Sequence, residues 1–266
     1  MCKNGYNTFM DKSVIIGRLK RATPSLILLG IVLLLAGLSF LPAIRGGISN
    51  TAVSAKAGEL DAEAMAALTR CVDYAAENGF TAKLTGKVKA RVCGIPYSQS
   101  MSGERTVHGD DFTQTAESKS ALVKAALKRG CSCGKYTAAQ GTYKSGGFVY
   151  ETPAELDRDR YVAAYGLPFT GIVKYDLDGA ITDAERIDEN TYRFTLDVAK
   201  ATEHSRCEVK TLLKSGEYPE YSSAEFTLVT DGTRAVKITS NEKFVVQKFG
   251  GTSCDAEYTE VFYYDA

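Results

Sequence analysis

The sequence predicts an α+β domain, an antiparallel sheet interrupted by helices, preceded by one transmembrane helix. Three observations carry this. An uncharged apolar run extends from Leu26 to Ile44, a helical apolar spacing follows from Leu60, and most of the remaining chain alternates with the period of two that marks half-buried strands.

At ~1.5 Å per residue the apolar run spans about 28 Å, close to the ~30 Å hydrocarbon core of a bilayer. Lys12, Arg18, Lys20 and Arg21 precede it, whereas only Arg45 and Lys56 follow, which orients the N-terminus to the cytoplasm. Ala55 and Ala57 offer a cleavage signal, but the run exceeds the ~7–15 residues of a signal-peptide core, so an uncleaved anchor is expected. A lipidated cysteine is not, since Leu38 stands where it would be needed. The organisation is thus a cytoplasmic tail (1–24), a signal-anchor (25–44), a spacer (45–58) and an extracytoplasmic domain (59–266), placing the chain in the cell membrane as a single-pass protein with its bulk outside.

After Ala57 there are 25 Lys and Arg against 31 Asp and Glu, a net charge of −6, although the whole chain balances at zero. An acidic domain without a basic stripe is a poor nucleic-acid binder. Some 209 residues are enough for one sizeable core.

From Leu60 to Asn78 the positions Ala64, Leu68, Cys71, Val72 and Ala75 predict a helix, capped by Asp61 and stopped at Asn78-Gly79. In the next stretch Leu84, Gly86, Val88, Ala90 and Val92 alternate with Lys83, Thr85, Lys87, Lys89 and Arg91, a strand whose basic row is a solvated face. "QSMSGERTVHG" and "DFTQTAES" continue as strands around a turn at Gly109 to Asp111. "SALVKAALKRG" reads as a short helix ended by Gly130, and "KYTAAQGTY" and "GGFVYE" flank a Gly-rich turn. Thr152, Pro153 and Glu155 match the cap, first-turn and reciprocal positions of a helix running to Gly166. Strands follow at "AITDAERI" and "TYRFTLDV", a helix at about 201–214, then "AEFTLVT", "RAVKITSNEKFVVQKF" and "AEYTEVFYYD", joined by turns at Asp231-Gly232 and Gly250-Gly251.

This order of elements, with long strands such as "LTGKVKARV" and "SGERTVHGDDF" and a closing meander, resembles the LolA/LppX-like lipoprotein-carrier superfamily over about Leu60 to Tyr264. The chain is similar to a membrane-anchored Gram-positive branch of that group. The resemblance implies a curved antiparallel sheet wrapped around helices, a half-barrel, with an apolar cavity for a lipid-like ligand. The anchor and the cysteines depart from the usual carriers and argue against soluble shuttling.

Cys2 falls in the tail, leaving Cys71, Cys93, Cys131, Cys133, Cys207 and Cys254 outside, an even number where disulfides persist. They are disulfide candidates, with pairing open and with Cys131 and Cys133 expected to reach different partners. A zinc site drawn from Cys131, Cys133, His204 and Cys207 is disfavoured by the single residue between the first two, and a redox pair by the same spacing. No metal and no cofactor is therefore expected.

No G-x-S-x-G elbow, Walker loop or H-E-x-x-H occurs, and only two histidines are present, so no catalytic residue is assigned. "DLDGAITDAE", from Asp176 to Glu185, lacks the oxygen ladder of a calcium loop and reads as a surface turn. Fifteen Tyr and eleven Phe with no Trp are core and cross-strand packing or the lining of a ligand cavity. Two functions remain: a non-enzymatic tethered module for a lipid or apolar ligand, or a filled-core interaction domain partnering an envelope protein.

Overall fold

The computed structural model describes residues 60–92, 95–121, 124–166, 168–202, 206, 218–247 and 251–264, all within the unit Ala52–Ala266. The apolar run, Cys93, His204 and Cys207 lie outside them. Among the described residues no helix is long and apolar enough to cross a membrane.

Helix α1 (Ala62–Asn78) is built as its sequence dictates: the Asp61 carboxylate accepts from the Ala64 amide, and Ala64, Ala67, Leu68, Cys71 and Ala75 are buried along one stripe. Val72, expected on that stripe, is 36% exposed at its margin. Gly79 ends the helix at φ 68°, a left-handed conformation that costs glycine little.

The strands are β1 (Phe80–Val92), β2 (Ile95–His108), β3 (Asp111–Lys119), β4 (Lys124–Ser132), β5 (Lys135–Lys144), β6 (Gly147–Tyr150) and β7 (Ala154–Leu156), followed by helix α2 (Arg158–Tyr165). After an irregular segment, 168–180, come β8 (Ile181–Asp188), β9 (Thr191–Leu196), the four-residue helix α3 (Val198–Ala201), β10 (Glu220–Thr230), β11 (Ala235–Val246) and β12 (Thr252–Tyr263). The strands form one open sheet in the order β6-β5-β4-β3-β2-β1-β12-β11-β10-β9-β8, with β7 beside β5. Every strand pairing is antiparallel, and Leu60 adds a single parallel bridge to Ala184 on the β8 edge. The expected antiparallel α+β architecture with few helices is what the chain adopts.

The period of two separates the faces. Lys83, Lys87, Lys89 and Arg91 are exposed on the outer face, where Lys87 stands opposite Glu257 and Asp255 lies between Lys89 and Lys243 in register. Exposed cross-strand pairs of this kind contribute little each but suit a wet face. The inner face carries a continuous core from Phe112 and Cys131 through Phe80, Phe262, Ile238 and Phe226 to Tyr192 and Ala184, covered by α1, Tyr161 of α2, and Ile172, Val173 and Tyr175 of segment 168–180.

Two local expectations are corrected. "SALVKAALKRG" is not a helix: Lys124–Ser132 is β4, paired in register with both β3 and β5, and the ladder outweighs the local helix preference of Ala, Leu and Lys. The helix expected from Pro153 starts at Arg158, capped by Asp157 through the Arg160 amide, because Ala154–Leu156 is held as β7 against Tyr136–Ala138. A four-residue helix, Val198–Ala201, capped by Asp197, ends at Thr202; most of the helix expected at about 201–214 lies outside the described residues.

Candidate functional site

The inner face is best read as rows across the sheet, since registered residues of antiparallel strands share a face. One apolar row runs Phe80, Val107, Phe112, Cys131, Tyr136, Leu156. The next places charge inside: Phe262, Ala82, Arg105, Gln114, Arg129, Ala138. Beyond them lie Glu260, Tyr258 and Glu242, on the inner faces of β12 and β11.

Arg105, 3% exposed, is the hub. Its guanidinium pairs with Glu260 at 3.0 Å and donates to the carbonyls of Gly171 at 2.5 Å and Phe169 at 3.4 Å. It also sits 5.0 Å from the Phe80 ring centroid and 4.0 Å from that of Phe169. A buried charge is tolerable only when paired and hydrogen-bonded, and these contacts supply both while pinning segment 168–180 to β2.

A second anchor holds the same segment to β11. Glu242, buried, accepts from Lys174 Nζ at 2.9 Å and the Tyr175 hydroxyl at 3.0 Å. Lys174 also lies 3.8 Å from the Tyr258 ring centroid. Gly86 opposes Tyr258, and a Cβ there would come within 2.6 Å of the Tyr258 ring, so glycine makes room for the stacked pair. Burial, then the charge of Glu242, raises the Tyr175 hydroxyl well above the ordinary tyrosine value, keeping it protonated as a donor.

Past this belt the inner face becomes apolar again. Phe244, Val246, Cys254 and Ala256 form a second buried cluster, rimmed by half-buried Val88, Ala90, Tyr221 and Tyr258. A bulge between Tyr221 and Ser223 keeps Tyr221 in register with Phe244, and their rings stand 5.2 Å apart. Beside the cluster, on β2 and at the end of β3, the Tyr97 hydroxyl lies 3.2 Å from Gln99 Oε1 and 2.7 Å from the Ser120 hydroxyl, donating to one and able to accept from the other, while Gln99 bonds Ser118. The arrangement can hold an apolar body next to a small, neutral hydrogen-bonding group.

The expected cavity lined by Val, Leu, Phe and Tyr takes a different form. Phe80, Phe112, Tyr161, Tyr175, Phe194, Phe226 and Phe262 are packed core. A cleft of about 300 Å³ opens between α1, the β2–β3 turn and segment 168–172, lined among others by Val72, Ala76, Val107, Asp110, Thr170 and Ile172.

The cysteine candidates are dispersed. Cys71 in α1 donates to Thr230 Oγ1 at 3.3 Å, Cys131 lies in the first apolar row, and Cys254 is in the second cluster. Cys133 is exposed at the β4–β5 turn with φ 50°, its amide donating to Asp111. None of these four is bonded to another, and Cys131 and Cys133 do not face one another as a clamp. Among the described residues no group of His, Cys, Asp and Glu is set to hold a metal. In the Asp176–Glu185 stretch the Lys200 ammonium donates to the Gly179 carbonyl at 3.0 Å.

The functional residues that sequence reasoning missed are Arg105, Glu242 and Glu260. The signal was their phase: each keeps step with apolar neighbours, Arg105 with Val107, Glu242 with Phe244, Glu260 with Phe262.

No protein-family model matches the chain, and no curated protein does. Solved structures do. A DUF1329 family protein from Desulfovibrio piger has 9% identity and a TM-score of 0.32, covering 76% of this chain and 93% of that one. A LolA superfamily protein from Nitrosomonas europaea has 9% identity and a TM-score of 0.28, covering 74% and 93%. An outer membrane lipoprotein-sorting protein domain from Vibrio parahaemolyticus has 9% identity and a TM-score of 0.32, covering 76% and 91%. The LolA superfamily, which the sequence resembles, is named for one of these structures.

Proposed function

We propose that the chain is a membrane-tethered, extracytoplasmic module without catalytic activity that binds a lipid-like or other apolar ligand on the inner face of its sheet. The observation that carries this is the second apolar cluster, Phe244, Val246, Cys254 and Ala256 with its half-buried rim, set apart from the main core by the buried charges. A core that served stability alone gains nothing from charges between its halves, because replacing buried ion pairs by apolar residues is often neutral or stabilising. Charges that hold segment 168–180 against the sheet do have a use, since they close off the main core and leave the second cluster as a separate apolar surface. The tether, the Gram-positive lineage and disulfides among the outer cysteines belong to this proposal.

The test is native mass spectrometry of the full chain after gentle detergent extraction, with melting measured across a lipid panel. A co-purifying apolar molecule and a midpoint that rises with its concentration are expected, as binding to the native state requires. The packed aromatic core favours the second reading, a filled-core domain that contacts an envelope protein. No adduct and no shift would leave that reading in place.

A further inference from the structure

We infer that the β3–β6 end of the outer sheet face is a docking surface for an anionic lipid bilayer. The first observation is charge. Residues 111–150 hold six Lys and Arg against two Asp and Glu, inside a domain whose net charge is −6. Arg129 is buried on the inner face; Lys119, Lys124, Lys128 and Lys135 are exposed and in phase with the outer face.

The second observation is independent of charge. Lys119 Nζ lies 5.1 Å from the Phe148 ring centroid, and Lys124 Nζ lies 3.8 Å from that of Tyr143. The two rings meet edge to face at 5.2 Å, and Tyr150 stands beside them, two residues along β6. Glu117, between the rings and the lysines, is paired with Lys119 at 3.0 Å. Half-buried Tyr and Phe under lysine ammonium groups match what a membrane interface selects: amphipathic rings at headgroup depth and cations against anionic phosphates.

These features choose a bilayer over an acidic protein. β6 is a four-residue edge strand, too short to template a partner's strand. The apolar run ending at Ile44 is the length of a membrane anchor, and the fifteen residues from 45 to 59 would reach about 50 Å if extended. A tether of that length would keep the domain within range of a membrane.

The chain has no Trp, so Phe148→Trp makes a single reporter. Full-length F148W is reconstituted in phosphatidylcholine vesicles, with and without phosphatidylglycerol, each carrying brominated acyl chains. The expected result is a blue-shifted, quenched emission with the anionic lipid only, relieved by roughly 0.5 M salt because screening shortens to a few Å. Adding Lys124→Glu and Lys128→Glu should abolish the quenching. Lys135→Glu, at a lysine outside ring contact, should weaken it with the melting midpoint unchanged. A reporter at Val236→Trp, 41% exposed on β11, should stay unquenched. Equal quenching in both lipids, or none in either, overturns the proposal; the latter leaves an acidic protein as the partner. Neither outcome touches inner-face binding, which is read from co-purifying ligand.

Discussion

Arg105 on β2 and Glu260 on β12 meet at 3.0 Å across the intervening strand β1. Both are in phase with the inner face, so the pair ties the centre of the sheet to itself, and Arg105 alone extends the tie to segment 168–180 through Gly171. Removing one partner leaves the other charge buried, which typically costs about 3–5 kcal/mol. Arg105→Leu should therefore destabilise strongly and Arg105→Leu with Glu260→Leu much less. Urea unfolding of both variants checks it. A double variant as unstable as the single one would make the segment contacts, rather than the ion pair, the dominant role of Arg105.

Cys254 gives the domain an alkaline dependence. Burial first, then the neighbouring carboxylate of Asp255, raises its thiol from 9.0 to about 11. The folded chain then binds the proton more tightly than the unfolded one, so the contribution is intact below about pH 9 and declines as pH rises through about 11. Burial shifts Cys71 and Tyr264 in the same direction. The melting midpoint of the wild type should fall more steeply than that of Cys254→Ala across this window. Identical slopes would show that the thiol does not titrate, as in a disulfide.

Thiol reactivity should separate the cysteines by their place in β4 and its turn. Cys133 is exposed, whereas Cys71, Cys131 and Cys254 are buried. In the reduced, folded chain iodoacetamide should modify Cys133 well before these three, which should react on unfolding; peptide mass mapping reads this out. If Cys133 is modified only after reduction, it was engaged as a disulfide, and its partner falls to Cys93 or Cys207, because none of the other three bonds it.

How far the sequence reveals this fold depends on whether local and global preferences agree. At α1 the apolar spacing, the Asp61 cap and the Gly79 stop concur, and the helix stands where it was read. In β1, alternation and solvated lysines concur likewise. In β4 they conflict: Ala125, Ala126, Leu127 and Lys128 are good helix formers, yet neighbours on both sides enforce a strand. The inner charges were obscured for a different reason. Alternation predicts polar residues on the outer face, so Arg105 and Glu242 pass for ordinary solvated positions until register shows which row they occupy. The second cluster draws residues from β1, β10, β11 and β12, distant in sequence, and no local pattern gathers them.

Gly79 is a position where only glycine fits. Its φ is 68°, and a Cβ would lie 2.5 Å from the Val107 carbonyl oxygen and collide with the His108 ring. Backbone strain and collision add, so Gly79→Ala should lower stability by roughly 2 kcal/mol or more. Gly109, also at positive φ but with open space around it, should lose only about 1 kcal/mol on substitution by Ala. Chemical denaturation of the two variants side by side tests whether the contact with β2 matters beyond the dihedral itself.

The last prediction joins the inner face to binding. Val88 stands on the rim of the second cluster, opposite Ala256 and Gln99 in register, while its neighbour Lys87 points to the solvated outer face. Glutamate at 88 would place a charge against Phe244 and Ala256, where an apolar ligand body would rest, and desolvating it there costs far more than a solvated charge does. Val88→Glu should thus remove the co-purifying apolar molecule, whereas Lys87→Glu leaves it bound. Val88→Leu, apolar and one methylene larger, guards against a folding artefact, since it should keep the ligand if the rim merely needs to be apolar. Native mass spectrometry of the three variants decides. Retention of ligand by Val88→Glu, with its melting midpoint near that of the wild type, would move the binding site away from this cluster.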